Sequence, residues 1–468
     1  MGARSHRSVT AVAAVGLASG LALAGCSSSS SKPSAGSSNS SAATSASGSA
    51  SGSAPGGGTA SGPALPDLSG KSIQVLAEWS GTEQQDFQKV IDAFTAKTHA
   101  KVSYQGAGDQ TVTVLQSKIA GGGAPDVALI AAPGAITDLA KAGKLTPLSA
   151  DVQSTIDANF DPGWKKLGTI DGKSYSIMFK AADKGTFWYN TAAFQQAGIQ
   201  PPTDWAGFLK DCQALSDAGI TPVSVGGADG WTLADWFQNV YLSQAGPDMY
   251  DKLSHHQIPW TDPSVKQALT TLGQLFGNDQ FLAGGKSGAL QTSFNDSVTN
   301  TFKTPPKAAM VFEGDFSSSV ITSTTSAKLG TDAKFFPFPA AGSTANFVQG
   351  SGDAAVALNN NPATMAFIQY LASPEAGSIW AQAGGFLSPN KNVPASAYPD
   401  DITRAEAAQL TQAGPNFRFS LDDLSPAGFG GTKGAGEWGD LQYFLGHPTD
   451  VDGTAAKLEA DAAKVTWS

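Results

Sequence analysis

Residues 175–190, YSIMFKAADKGTFWYN, constrain the fold more than any other stretch of the chain. Tyr175, Ile177 and Phe179 alternate with Ser176, Met178 and Lys180, which is the period of a strand. A polar break follows at 181–185, and Phe187-Trp188-Tyr189 begins a second short strand. Two strands meeting at a polar break mark the place where the chain leaves one lobe and enters another. Lys180 lies near that crossing, where a cleft between lobes would open. Length agrees: of 468 residues, about 400 remain once a leader and linker are set aside, too many for one core.

The chain before residue 67 reads as targeting and tether. Arg4 and Arg7 precede an apolar run at 9–24, then Leu23-Ala24-Gly25-Cys26, the pattern of a secretory signal with small residues before the cut. LAGC resembles the bacterial lipobox, which implies cleavage before Cys26 and lipidation of its thiol; a plain secreted protein with an incidental cysteine is the weaker alternative. Residues 27–66 are mostly Ser, Gly, Ala and Pro with one charge, Lys32, and form a flexible tether reaching roughly 35 Å. The other cysteine, Cys212, sits at helical spacing with Trp205, Phe208 and Leu215 and reads as a small buried apolar residue.

Strands and helices alternate from residue 71. Residues 71–77, 101–104 and 127–130 read as strands. The helix between the first two buries Phe87, Val90, Ile91 and Phe94, and Ser80 and Glu83 have capping-box spacing at its start. Further strands are expected at 220–225, 308–312 and 354–358, with a second crossing at the proline-punctuated FFPFP of 335–339. This alternation implies mainly parallel sheets, which bind ligands beyond the carboxyl ends of their strands. Glu78, Trp79, Gly81, Asp109 and the 131–134 loop lie there. Trp231, in GGADGWTLAD, is either a wedge packed into the core or a stacking face, and Asp229 and Asp235 flank it. Glu313 and Asp353 lie at predicted strand ends. Each such carboxylate alone is more often a cap or turn residue; their shared placement favours hydrogen-bond acceptors for hydroxyls.

Several chemistries are not supported. Net charge is −10 without clustered Lys and Arg, so no nucleic-acid partner is expected. GAGEWG at 434–439 matches a dinucleotide fingerprint by letter but follows no strand. The five histidines show no metal-ligand spacing, and no cysteine pair could serve zinc. No G-x-S-x-G elbow occurs. Neither a metal nor a cofactor nor a catalytic residue is expected. Carboxylates are numerous enough to hold a glycosidase pair, whose separation a sequence does not reveal.

EWSGTEQQDFQ, GGGAPDVALIAAPG, YSIMFKAADKGTFWYN, DGWTLADWFQNVYL, GDAAVALNN, YLASPEAGSIWAQAGGFLSPN and FRFSLDDLSPAGFG resemble the carbohydrate-type solute-binding lipoproteins of bacterial ABC importers, solute-binding protein family 1. The similarity runs from about residue 71 to the C-terminus. The GW…DW, GD and GGFLSPN pieces are most similar to the α-glucoside-binding branch. The resemblance implies an α/β, two-lobe fold of the periplasmic-binding-protein type. Each lobe would be a mainly parallel sheet flanked by helices, joined by a hinge of two or three strands. The expected division is 1–25 signal, 26–66 lipidated cysteine and tether, 67–180 with 338–395 the first lobe, and 181–337 with 396–468 the second. By the same resemblance Trp79, Asp109, Lys180, Trp231, Asp235, Glu313, Asp353 and Arg418 contact the sugar, with Trp79 and Trp231 covering its apolar face. The implied protein is a lipid-anchored monomer on the outer face of the cytoplasmic membrane that passes its sugar, unaltered, to permease subunits. An extracytoplasmic glycosidase and a sugar sensor or adhesin uncoupled from transport are the rival expectations.

Overall fold

β1 (Ser72–Ala77) buries Ile73 and Val75 and exposes Ser72 and Gln74. The helix Gly81–Thr98 follows; its buried Phe87, Val90, Ile91 and Phe94 recur at the three- and four-residue spacing of one helical face. It ends at His99, which takes the left-handed conformation and donates its N–H to Thr95. β2 (Lys101–Gly106) and β3 (Val127–Ile130) both reach the sheet through helices, so β1 pairs parallel with each. The computed structural model describes residues 65–467 except 345, 414 and 415. The expected signal, Cys26 and nearly all of the expected tether lie outside the described residues.

A hairpin of β4 (Thr169–Ile170) and β5 (Lys173–Ser174) leads to β6 (Ser176–Asp183) and, after Lys184-Gly185, β7 (Thr186–Asn190). The expected break at 181–185 is thus only two residues long. β8 (Val223–Ser224), β9 (Met310–Glu313) and β10 (Ala333–Pro337) join β7 in a second sheet, ordered β10-β7-β9-β8. β11 (Val348–Ala357) and β12 (Phe417–Phe419) return to the first, ordered β12-β11-β3-β1-β2 with β6 on the other side of β11.

Among the described residues both sheets are mixed: three of the five strand pairings in the first are parallel, but only one of three in the second. β11 runs antiparallel to both β3 and β6, and in the second sheet only the β8–β9 pair is parallel. The cause is the crossings: β6 leaves the first sheet directly into β7, and β11 comes back from β10, so neither enters through a strand–helix–strand unit. β12 also differs from expectation, since Phe417–Phe419 falls in the segment assigned to the second lobe yet pairs with β11 of the first sheet.

Each sheet has its own core. Trp79, Phe87, Phe179, Trp380 and Phe386 cluster beside the first sheet. Phe187, Trp236, Phe312 and Phe338 centre the second, with Phe187 stacked on Phe336 at 5.2 Å. Where β6 and β11 cross, only glycine fits: a Cβ at Gly352 would lie 2.5 Å from the Lys180 carbonyl, and one at Gly350 2.6 Å from that of Ala182. This close approach sets Lys180 opposite Asp353 in the register.

Candidate ligand-binding cleft

A cavity of about 500 Å³ lies between the two sheets. Its first wall comes from the end of β1, with Glu78 and Trp79, and the first turn of the following helix, with Glu83. Lys180 of β6 and Asp353 of β11 reach the same space from adjacent strands. The second wall is aromatic. Trp231 packs against Phe294 at 5.4 Å and Phe316 at 6.0 Å, and Phe294 meets Phe316 edge-on at 5.3 Å.

Lys180 is buried, and its ammonium lies 2.5 Å from Glu83 Oε1 and over the rings of Trp380 and Phe316. Burial pulls its pKa down, but the charges of Glu83, Asp353 and Asp315 more than offset this and hold it above the ordinary lysine value. Glu83 therefore does not close a capping box: Ser80 occupies the N-cap without a side-chain bond, and the Glu83 carboxylate goes to Lys180 instead. Asp353 accepts a hydrogen bond from Trp79 Nε1 at 3.3 Å. Burial first, then the Asp353 charge and hydrogen bond, hold the Glu78 carboxyl well above the usual carboxylate range.

Of the eight expected contacts, the cleft brings together Trp79, Asp109, Lys180, Trp231 and Asp353. Three are not at its wall. Asp235 lies one helical turn beyond Trp231 in the helix Trp231–Ala245, which takes it into the interior; there it accepts from Gln349 at 2.9 Å and pairs with Lys184 at 3.3 Å. Glu313 closes β9 with a buried side chain that, among the described residues, accepts a single long 3.4 Å bond from Ser297. Arg418, carried onto the first sheet by β12, grips Asp251 with two bonds of 2.6 and 3.0 Å. Trp79 reaches the cavity in a different role from the stacking face expected of it. It is 2 % exposed, meets Trp380 edge-on at 4.6 Å, and offers its N–H to Asp353. Trp231 begins a helix rather than sitting in a loop, and its ring is partly exposed to the cavity.

Lys184, Phe294 and Phe316 also line the cleft, beyond the residues expected from the sequence. Lys184 lies four residues after Lys180, just past the end of β6, and its ammonium sits 5.3 Å from the centre of the Trp231 ring. Phe316 follows the strand-end Glu313-Gly314-Asp315, a signal available in the sequence. Nothing local marked Phe294.

Behind the cleft the crossing strands are held by a buried polar network. Gln349 donates to Asp235, Gln238 and Ser420; Gln238 in turn donates to Asp422 and Glu437. Carboxyls outnumber cations, and burial pushes Asp235 and Asp315 up to about 7 and Asp183, Glu406 and Glu437 well above the usual range. A carboxyl whose pKa is higher folded than unfolded makes the folded state bind more protons, so stability falls as pH rises from about 4 through 7. Lys180 and Lys184, both raised, contribute evenly over that window. The unfolding free energy from urea titration is expected to be higher near pH 5.5 than near pH 8, by on the order of a few kcal/mol. A free energy that climbs with pH over that span would show these carboxyls ionised in the fold.

Among the described residues no group of three or more His, Cys, Asp or Glu is arranged to hold a metal ion, and no helix is long and apolar enough to cross a membrane.

The comparisons with known proteins agree with this architecture. Residues 78–378 match the family of bacterial extracellular solute-binding proteins. The osmoprotective compounds-binding protein GgtB of Synechocystis sp. is 31 % identical over 83 % of this chain and 91 % of its own length. The alpha-glucosides-binding periplasmic protein AglE of Rhizobium meliloti is 30 % identical over 84 % of this chain and 88 % of its own. Among solved structures, the solute receptor AcbH, described as preferring β-D-galactopyranose, superposes with a TM-score of 0.74 at 22 % identity, covering 84 % of this chain and 99 % of that one. The GacH receptor of Streptomyces glaucescens, studied with acarbose, gives 0.70 at 16 % identity over 85 % and 98 %. These two show the fold, a two-lobed α/β architecture. With the family matched over more than half of its length, the chain belongs to the bacterial extracellular solute-binding proteins.

Proposed function

We propose that this chain captures a neutral sugar, an α-glucoside or similar oligosaccharide, between its two lobes and delivers it unaltered to the permease subunits of an ABC importer. The observation that carries the reading is the cleft's pairing of an aromatic wall with a hydrogen-bonding one. Trp231, with Phe294 and Phe316, offers an apolar surface to the C–H face of a sugar. Asp353, Glu78 and Glu83 supply acceptors for its hydroxyls, and Lys180 holds that array in place. Both lysines at the wall are engaged by protein carboxylates, which suits an uncharged ligand. The cavity is of small-molecule size, and the name of AglE supports the α-glucoside branch.

The protein turns nothing over in this reading. Glu78 and Asp353 line the same wall of the cleft, whereas a glycosidase pair flanks the scissile bond from two sides. The head, divided as 67–180 with 338–395 and 181–337 with 396–468 apart from β12, works as a monomer. It is held at the outer face of the cytoplasmic membrane by lipid on Cys26 and the tether of 26–66, after removal of the signal at 1–25.

The test is calorimetry and thermal shift with maltose, trehalose and sucrose. Saturable binding of at least one, with a raised unfolding temperature and no product above a blank, is the expected result. Release of glucose would support the glycosidase instead, and no response to any sugar of a wider mono- and disaccharide screen would overturn sugar capture.

A further inference from the structure

Lys433 lies on the turn between the helices Ala427–Gly430 and Gly436–Gly446. Its ammonium is 2.8 Å from Asp229 Oδ1 and 3.4 Å from Asp109 Oδ2. These two carboxylates belong to opposite walls. Asp109 sits on the turn Gly108–Gln110, tied to the end of β1 by the bond from Gly108 N to Glu78 O. Asp229 sits in the loop before the helix Trp231–Ala245, where the neighbouring Ala228 N bonds Thr292 O. The second Asp229 oxygen accepts from Phe294 N at 2.7 Å, so the contact continues into the aromatic wall that holds Trp231. The turn carrying Lys433 itself straddles the walls, since Ala427 packs with Ala132 and Ala135 while the helix after it packs in the second core.

We propose that Lys433 is a positioning residue for ligand capture, an ionic clasp that fastens Asp109 of one wall to Asp229 of the other at the rim of the cleft. The physical argument is one of like charges. Burial first, and then the facing Asp229, hold the Asp109 carboxyl above its ordinary value, and Lys433 opposes that rise. Without the ammonium, closing the cleft would bring two carboxylates toward each other with nothing between them. The clasp also occupies Asp109, which then acts on the ligand by holding the walls together and not by accepting its hydroxyls. The Lys433 side chain is 37 % exposed and that of Asp109 36 %, so salt screens the clasp and the effect is moderate.

The proposal rests on closure of the walls and not on the identity of the sugar, and the test keeps the two apart. Hydrogen exchange of the full chain without ligand, followed by mass spectrometry, is compared for parent, Lys433→Met and Lys433→Arg. In low salt the Met variant is expected to exchange about fivefold faster at 108–112 and 226–231, the size of effect an exposed ion pair gives, with β1 and β9 unchanged. Lys433→Arg restores protection, and salt near 0.5 M brings the parent to the level of the Met variant. Equal exchange in parent and Met variant overturns the clasp. So does a rise spread over β1 and β9, or one indifferent to salt, since either marks a packing role. Maltose added as probe should leave the Met variant about fivefold faster than the parent. If the parent does not bind maltose, that outcome counts against the sugar and the exchange result still decides the clasp.

Discussion

Asp353→Ala and Trp231→Ala are each expected to weaken sugar binding by roughly tenfold or more, about 1.4 kcal/mol, while the head stays folded. The two residues act from opposite walls by different chemistry. Asp353 is 5 % exposed, faces Lys180 across paired strands, and accepts a hydrogen bond from Trp79 Nε1. Truncation removes an acceptor from the wall. Lys180 keeps Glu83, so no buried cation is stranded. Trp231 begins its helix and is only partly buried, so its loss removes a stacking face more than a core prop. Calorimetry with whichever of maltose, trehalose or sucrose the parent binds provides the measurement. Parent-like binding by both variants would place the site elsewhere.

Trp79→Ala should behave otherwise. Its ring is enclosed by Trp380 at 4.6 Å, Phe87 at 4.8 Å and Phe179 at 6.2 Å. Removing a buried tryptophan costs ~3–5 kcal/mol through lost transfer energy and the cavity left behind. The urea midpoint is expected to fall accordingly, with any effect on binding following from a loosened Asp353. A loss under ~1 kcal/mol would mean that the ring is not packed in the first core and is free to cover a ligand.

Elements whose identity is local were legible. β3 occupies 127–130 as expected, and the apolar spacing of Phe87, Val90, Ile91 and Phe94 gave the buried face of the first helix directly. Long-range pairing was not. The alternation of residues 175–180 marks β6 as a strand, yet both of its faces are buried, and no pattern in it says that its partner is β11, 170 residues on, in antiparallel register. The same limit governed the site. Strand-end position singled out Asp353 and Glu313 alike, but only Asp353 faces the cavity. Asp235 and Trp231 are four residues apart, and the helix that joins them sends one to the interior and the other to the cleft. Glu83 was noticed for its spacing to Ser80, and its true partner is 97 residues away. The resemblance to a family supplied the region of the cleft; which carboxylates reach it depends on packing that neither period nor motif encodes.

The link between β6 and β7 is two residues long, so it spans at most about 7 Å. On either side of it Asp183 and Asp315 are stapled backbone to side chain and backbone to backbone, at 2.7 and 3.0 Å. With so little slack, this link opposes sliding of one sheet along the other, and a relative motion of the two would be a swing about it. A small rotation there is magnified with lever length, leaving the axis nearly still while the far lip travels farthest.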